Sequence, residues 1–258
     1  MRRLEGGPRP LVLGLCGPQG SGKSTAAKVL ELLLNEAGAR CVVLGLDDLY
    51  LGRPERERLA RAVHPLLATR GPPGTHDVGL GAHLIADLTT DKAVAMPRFD
   101  KGADDRVPEA QWPLAQGPID VVIFEGWCVG ARPQAAVDLL QPVNALEAER
   151  DPEGIWRRYV NDALAGPYQA LFGRIDFLAM FRPPAFEVIL DWRIEQERKL
   201  RVAGGGKAVM SDDEVRTFIR HYERLARWLD REMPQRADVV VELDAARNVV
   251  ALHRKEPD

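Results

Sequence analysis

Gly17-Pro18-Gln19-Gly20-Ser21-Gly22-Lys23-Ser24-Thr25 satisfies the pattern G-x-x-x-x-G-K-[ST] of a phosphate-binding loop. The flanking residues supply the setting that pattern requires. Pro10 to Cys16 (PLVLGLC) is a short apolar run suited to a buried parallel strand, and Thr25 to Glu36 carries leucine and valine at helical spacing before Gly38 stops it. Glycines at 17, 20 and 22 leave room for backbone N–H groups to turn inward. A helix beginning near Lys23 adds its positive end, so Gly17 through Thr25 is expected to hold a polyphosphate largely with main chain. Lys23 then reaches the β- and γ-phosphates, and Ser24 offers a hydroxyl to Mg²⁺.

Further buried-strand candidates follow at Arg40 to Leu46, Ile119 to Phe124, Ile175 to Phe181 and Ala237 to Leu243. With the first run they predict an α/β three-layer sandwich of the P-loop type, built on a parallel five-stranded sheet with a helical insertion and lid. Two of these strands end in acid: Asp47-Asp48-Leu49-Tyr50 after the second and Glu125-Gly126-Trp127 after the third. A strand-end aspartate pair taken alone is more often a turn former than a catalytic group. Beside a phosphate loop the balance reverses, because an attacking hydroxyl needs a base and a metal ion needs acidic ligands. Asp47 is therefore read as the base and, with Ser24 and Glu125, as part of the metal set, with Asp48 and Asp100 as alternative bases.

From Leu51 to Pro118 the pattern loosens, with short helices expected at Pro54 to Val63 and Ala82 to Thr89 and a short strand at Val94 to Phe99. Solvated loop charge is the bland explanation for its polar residues. Their concentration instead suggests a substrate cap, with Asp48, Tyr50, His76, Arg98, Asp100, Lys101 and Arg106 as substrate-binding candidates and Arg98 first among them for an anionic group. Phe186 to about Val202 reads as a helix whose Arg193 and Arg198 close over the transferring group. Glu195 with Lys199 and Glu197 with Arg201 are i,i+4 pairs on it. Gly204-Gly205-Gly206 would serve as its hinge. Ser211 and Glu214 form a capping box, ahead of an apolar stripe running from Val215 through Phe218, Ile219, Tyr222 and Leu225 to Leu229.

Residues 1–258 are expected to form one domain, with the insertion at about 51–118 and the lid at about 186–210. The composition, 45% hydrophobic and 28% charged with a net charge of −3, is that of an ordinary soluble protein. It lacks the basic excess of a nucleic-acid binder. Cys16, Cys41 and Cys128 lie in apolar contexts without zinc spacing and read as buried thiols of a reducing, cytoplasmic compartment. No apolar run approaches the roughly 18 residues of a membrane span. Met1-Arg2-Arg3 ahead of LVLGLC imitates a signal peptide, but that run feeds the phosphate loop.

The Asn-Lys-x-Asp guanine signature is absent, so ATP is the expected donor. The chain resembles the kinase branch that holds uridine kinase, phosphoribulokinase and pantothenate kinase, in which an aspartate in the turn after the second strand, here Asp47, serves as base. More specifically it resembles the D-glycerate 3-kinase family. The likeness is carried by LDDLY (46–50), the stretch His64 to Gly71, GTHD (74–77), PRFDK (97–101), FEGW (124–127), PVN (142–144), WRIEQE (192–197), MSDDEV (210–215) and DAARN (244–248). These run over nearly the whole chain. The resemblance implies transfer of the ATP γ-phosphate to the 3-hydroxyl of D-glycerate, with Mg²⁺ as cofactor and a small anionic molecule, rather than nucleic acid or membrane, as partner; the oligomeric state is left open. A kinase of another small hydroxylated metabolite and an ATP-binding module without an acceptor are the competing readings.

Overall fold

The computed structural model describes residues 10–202 and 210–255. Met1 to Arg3 and the glycine run 204–206 lie outside the described residues. The chain begins with β1 (Leu11–Cys16), α1 (Lys23–Glu36) and β2 (Cys41–Gly45). Next come α2 (Arg53–Ala62), α3 (Val78–Asp87), β3 (Ala93–Ala95), β4 (Phe99–Asp100), β5 (Asp105–Arg106) and β6 (Leu114–Gln116). Then follow β7 (Val121–Gly126), α4 (Ala145–Arg150), α5 (Ile155–Ala163), α6 (Gln169–Phe172) and β8 (Phe177–Arg182). The last elements are α7 (Phe186–Val202), α8 (Asp212–Glu232), β9 (Val239–Leu243) and β10 (Val249–Arg254).

The main sheet has the order β10-β9-β8-β1-β7-β2. Its five expected strands are parallel, and a sixth, β10, adds antiparallel to β9 at the edge. β10 escaped the sequence reading because five of its six residues are exposed, so it shows no buried run. Side chains alternate between the two faces of the sheet, as strand geometry requires. Val121 and Ile123 of β7 pack with Leu15, Ala27 and Cys41 against α1, while Val122 and Phe124 join the larger cluster containing Leu84, Leu171, Tyr222 and Leu229 from α3, α6 and α8. Three layers result, with the sheet in the middle.

Register aligns the carboxyl ends that matter. Cys16 pairs with Gly126, and Gly45 pairs with Glu125 across the neighbouring ladder. The phosphate loop, Asp47 and Glu125 therefore leave the sheet from one edge, the crevice in which open α/β sheets bind ligands.

The insertion combines apolar burial, with Leu84, Ile85, Leu88, Val94 and Met96 in the main core, and charged struts. Its strands form two separate two-stranded sheets, β3 with β6 and β4 with β5. Arg56 is 2% exposed, donating to the carbonyls of Leu51, Ala68 and Asp104 and pairing with the Asp104 carboxylate at 2.9 Å. Asp104 also takes the guanidinium of Arg70. α3 begins earlier than the apolar pattern suggested, because Asp77 caps it by accepting from Leu80 N at 2.9 Å.

α8 begins at the expected capping box, and Arg224 from its buried side ties down the 138–147 segment. Arg224 Nη2 meets Glu147 Oε2 at 2.6 Å and Nε meets Oε1 at 2.8 Å, while its remaining N–H groups reach the carbonyls of Asp138 and Gln141. Both side chains are buried, so removing one leaves the other uncompensated. We expect Arg224→Met to lower the unfolding free energy by about 3–5 kcal/mol in a urea titration, against less than about 0.5 kcal/mol for the exposed Arg216→Met.

Candidate active site

The phosphate loop is shaped by two left-handed glycines, Gly20 (φ 81°) and Gly22 (φ 85°). Gly22 stands at the start of α1, whose first turn has no side-chain cap, so its N–H groups remain available to an anion. Ser24 Oγ donates to Glu125 Oε1 at 2.8 Å, and Lys23 Nζ lies 3.8 Å from Glu125 Oε2. Ser24, Lys23 and Glu125 are thus brought together. A hydroxyl and a carboxylate are the hard oxygen donors that suit Mg²⁺. No cluster of three acidic, histidine or cysteine side chains able to hold a metal exists among the described residues, so phosphate oxygens and water would have to complete such a site.

Asp47 and Asp48 occupy a single 3-10 turn after β2 yet face different partners. Asp47 Oδ2 accepts from Lys101 Nζ at 2.6 Å and Oδ1 accepts from the Tyr50 hydroxyl at 2.8 Å. Burial raises its pKa, but Lys101, Lys23 and these hydrogen bonds outweigh that, holding the carboxyl well below the ordinary range. Asp48 instead accepts from Phe99 N at 3.1 Å and lies 3.4 Å from Arg98 Nη1, pinning the PRFDK stretch to the sheet edge. Burial pushes its pKa upward. Asp100 is exposed and closes a turn by accepting from the N–H groups of Gly102 and Ala103.

Behind Asp47 stands an aromatic stack. Tyr50 lies against the ring of His76 with centroids 4.6 Å apart and meets Phe99 edge-on at 5.1 Å. Arg106 donates to Tyr50 O at 2.7 Å and pairs with Asp77 at 3.1 Å. The Tyr168 oxygen accepts from Gly74 N at 2.9 Å and lies 2.5 Å from His76 Nδ1. His76 Nε2 is buried without a hydrogen-bond partner.

The arginines of α7 are engaged with acids. Arg193 pairs with the buried Glu197 and lies over the Phe218 ring, and exposed Arg198 meets Asp212 at 2.6 Å. Of the two i,i+4 pairs expected, Glu195–Lys199 forms at 2.6 Å. Glu197 turns inward to Arg193 and Met210 N, leaving Arg201 to Asp212. The sequence reading also missed the aromatic wall beside Gln19. Tyr222 donates to Arg70 O at 2.9 Å, and a Cβ on Gly71 (φ 122°) would fall 1.8 Å from the Tyr222 hydroxyl oxygen, so only glycine fits there. Its signal was an aromatic residue in the α8 stripe, which core packing explains equally well. A cavity of about 540 Å³ borders Gly17 to Gln19 between Trp127, Met180, Ile189 and Tyr222, while the Asp47 cluster lies outside it.

A phosphate loop at the end of β1, acids ending β2 and β7, and a parallel sheet in this order define a P-loop kinase, an ATP-dependent phosphotransferase that acts on a hydroxyl group. The chain is 37% identical over 227 residues to the uncharacterized kinase mug58 of Schizosaccharomyces pombe, with 83% of this chain and 79% of that one covered. It is 32% identical over 224 residues to the chloroplastic D-glycerate 3-kinase of Arabidopsis thaliana, a match that spans 83% of this chain and 46% of the longer plant protein. The solved D-glycerate 3-kinase of Cryptococcus neoformans superimposes with a TM-score of 0.79 at 28% identity, covering 98% of this chain and 93% of that one. No protein-family model matches. The chain belongs to the same family of kinases as mug58.

Burial holds the His76 pKa down to about 3, against the opposing field of Asp47. The unfolded chain therefore takes up a proton below the ordinary value near 6.5 while the fold does not, and stability is full above that pH and falls towards pH 3. His221 shifts the same way through burial. We expect unfolding free energies from urea titrations to drop between pH 7 and pH 4, and His76→Phe to flatten that slope by up to about 1.4 kcal/mol per pH unit. An unchanged slope would show that His76 titrates normally.

Proposed function

We propose that this kinase transfers the γ-phosphoryl group of Mg·ATP to the 3-hydroxyl of D-glycerate, giving 3-phosphoglycerate. The supporting observation is the Asp47–Lys101 pair, which sets a carboxylate and an exposed cation side by side at the sheet edge from which the phosphate loop also leaves. The relatives from Arabidopsis and Cryptococcus carry the name of that activity. Three buried, free thiols support a reducing compartment such as the cytoplasm.

In this reading the backbone from Gly17 to Thr25 cradles the phosphates, and Lys23 offsets their charge. Ser24, Glu125 and Asp47 would hold Mg²⁺, which neutralises charge building on the phosphate oxygens. Lys101 and Arg98, 60% and 42% exposed at their side chains, take the glycerate carboxylate. Arg106 holds the Tyr50 carbonyl and His76 stacks on the Tyr50 ring, which together fix the hydroxyl that orients Asp47. As Lys101 turns to the substrate, Asp47 loses its counter-ion and becomes more basic. The acceptor hydroxyl passes its proton to Asp47 while its oxygen bonds to the γ-phosphorus; the bond from that phosphorus to the bridging oxygen breaks and ADP leaves. Arg193 and Arg198 exchange Glu197 and Asp212 for phosphoryl oxygens on closure.

Coupled ADP-release assays with D-glycerate, L-glycerate, uridine, pantothenate and no acceptor test the proposal. D-glycerate alone should stimulate release, with 3-phosphoglycerate as product; stimulation by another acceptor would discard glycerate, and indifference to all would discard the kinase. Asp47→Asn should lower kcat by about 10²- to 10⁴-fold, and near-normal turnover would move the role to Asp48. Lys101→Met should raise the glycerate KM and shift the acid limb of the pH profile of kcat/KM to higher pH, because Asp47 loses the cation that holds its pKa down.

A further inference from the structure

The turn joining β9 to β10 reaches back across the sequence to the phosphate loop. It is a closed unit, with Asp244 N bonded to Asn248 O, Arg247 N bonded to Asp244 O, and the Asp244 carboxylate accepting from both nitrogens of Asn248. At its tip Arg247 takes a left-handed conformation, φ 70°, which costs a non-glycine residue energy and persists only where contacts repay it. Its guanidinium has three such contacts. Nε donates to Gly20 O at 2.8 Å, Nη2 reaches Glu195 Oε2 at 2.5 Å, and the group lies 5.4 Å from the centre of the Trp192 ring. Trp192 Nε1 returns a hydrogen bond to Ala245 O at 2.8 Å.

The loop and α7 also touch directly at this point. A Cβ on Gly20 would fall 2.7 Å from Trp192 Cβ. The peptide that begins with the Gly20 carbonyl ends in the Ser21 N–H. That N–H donates to Pro18 O at 3.3 Å, so a donor fixing the Gly20 carbonyl fixes the peptide that closes the turn from which the anion cradle is built. Glu195 and Trp192 lie one residue from Gln196 and Arg193 on the same helix, so the guanidinium joins the loop to the helix that carries the arginines.

We infer that Arg247 is a positioning residue for nucleotide: it sets the orientation of the Gly20–Ser21 peptide and locks the phosphate loop to α7 through Glu195 and Trp192. The inference rests on the reading that this loop binds ATP, and says nothing of which acceptor is used. Nucleotide affinity should depend on Arg247, and acceptor affinity should not.

Arg247→Gly is the informative variant, because glycine accepts the left-handed conformation and preserves the turn while the guanidinium is lost. Titration calorimetry with Mg·ADP and with a non-hydrolysable Mg·ATP analogue is expected to show about tenfold weaker binding, the scale of one lost charge-assisted hydrogen bond. In turnover assays the ATP KM should rise by a similar factor while the acceptor KM stays within about twofold. Glu195→Gln should give a smaller rise in the ATP KM, and adding it to Arg247→Gly should weaken binding no further, since both act through one unit. Unchanged nucleotide affinity in Arg247→Gly would overturn the inference, as would equal rises in both KM values, which mark general loosening. Failure of the unaltered chain to bind Mg·ATP would overturn the phosphate-loop reading and the inference with it.

Discussion

The carboxylate of Glu125 holds the active edge together. It receives the Ser24 hydroxyl at 2.8 Å and stands 3.8 Å from the Lys23 ammonium, so the end of β7 and the start of α1 share one electrostatic anchor. That anchor works only because β7 lies between β1 and β2, in a register that sets Glu125 level with Leu15 on one side and Gly45 on the other. Shifting either ladder by one residue would turn Glu125 to the opposite face of the sheet. The placing of the phosphate loop and of Asp47 at one edge of the sheet follows from the same alignment.

Around this rigid edge the insertion is built differently. Leu84, Ile85, Leu88, Val94 and Met96 carry part of it into the apolar core, and Arg56, Arg70 and Asp104 join the remainder through charge. Buried ion pairs depend on geometry and on complete hydrogen bonding. Arg56 meets that demand with three carbonyls and a carboxylate, and thereby seats Phe99, Asp100 and Lys101 near the Asp47 turn. Lys101 itself extends from this frame to Asp47.

The sequence announced the parallel strands because each is an apolar run ending in glycine, acid or proline, and it announced the phosphate loop because few other roles need three glycines before Lys-Ser. It did not announce β10, whose side chains are mostly solvated, or the two- and three-residue strands of the insertion, which are too short for a period. Arg56 stands in the run R-P-E-R-E-R, where a buried guanidinium and a solvated one read alike. Asp47 and Asp48 are adjacent and chemically identical; only the fold turns one to Lys101 and the other to Phe99 N. The link from Gly20 to Arg247 spans 227 positions and leaves no local pattern.

Cys16 immediately precedes the phosphate loop, and its thiol is buried against Trp127 O. Burial pushes both Cys16 and Cys41 up to about 12, and raises Cys128 as well. At neutral pH a thiol of that pKa is ionised to only about one part in 10⁵, and the thiolate is the form that reacts with peroxides and alkylating reagents. The folded chain thus carries chemically silent sulfur beside its most sensitive backbone. A single cysteine introduced on the surface would be the one reactive thiol among the described residues, so probes can be attached without first removing the native three.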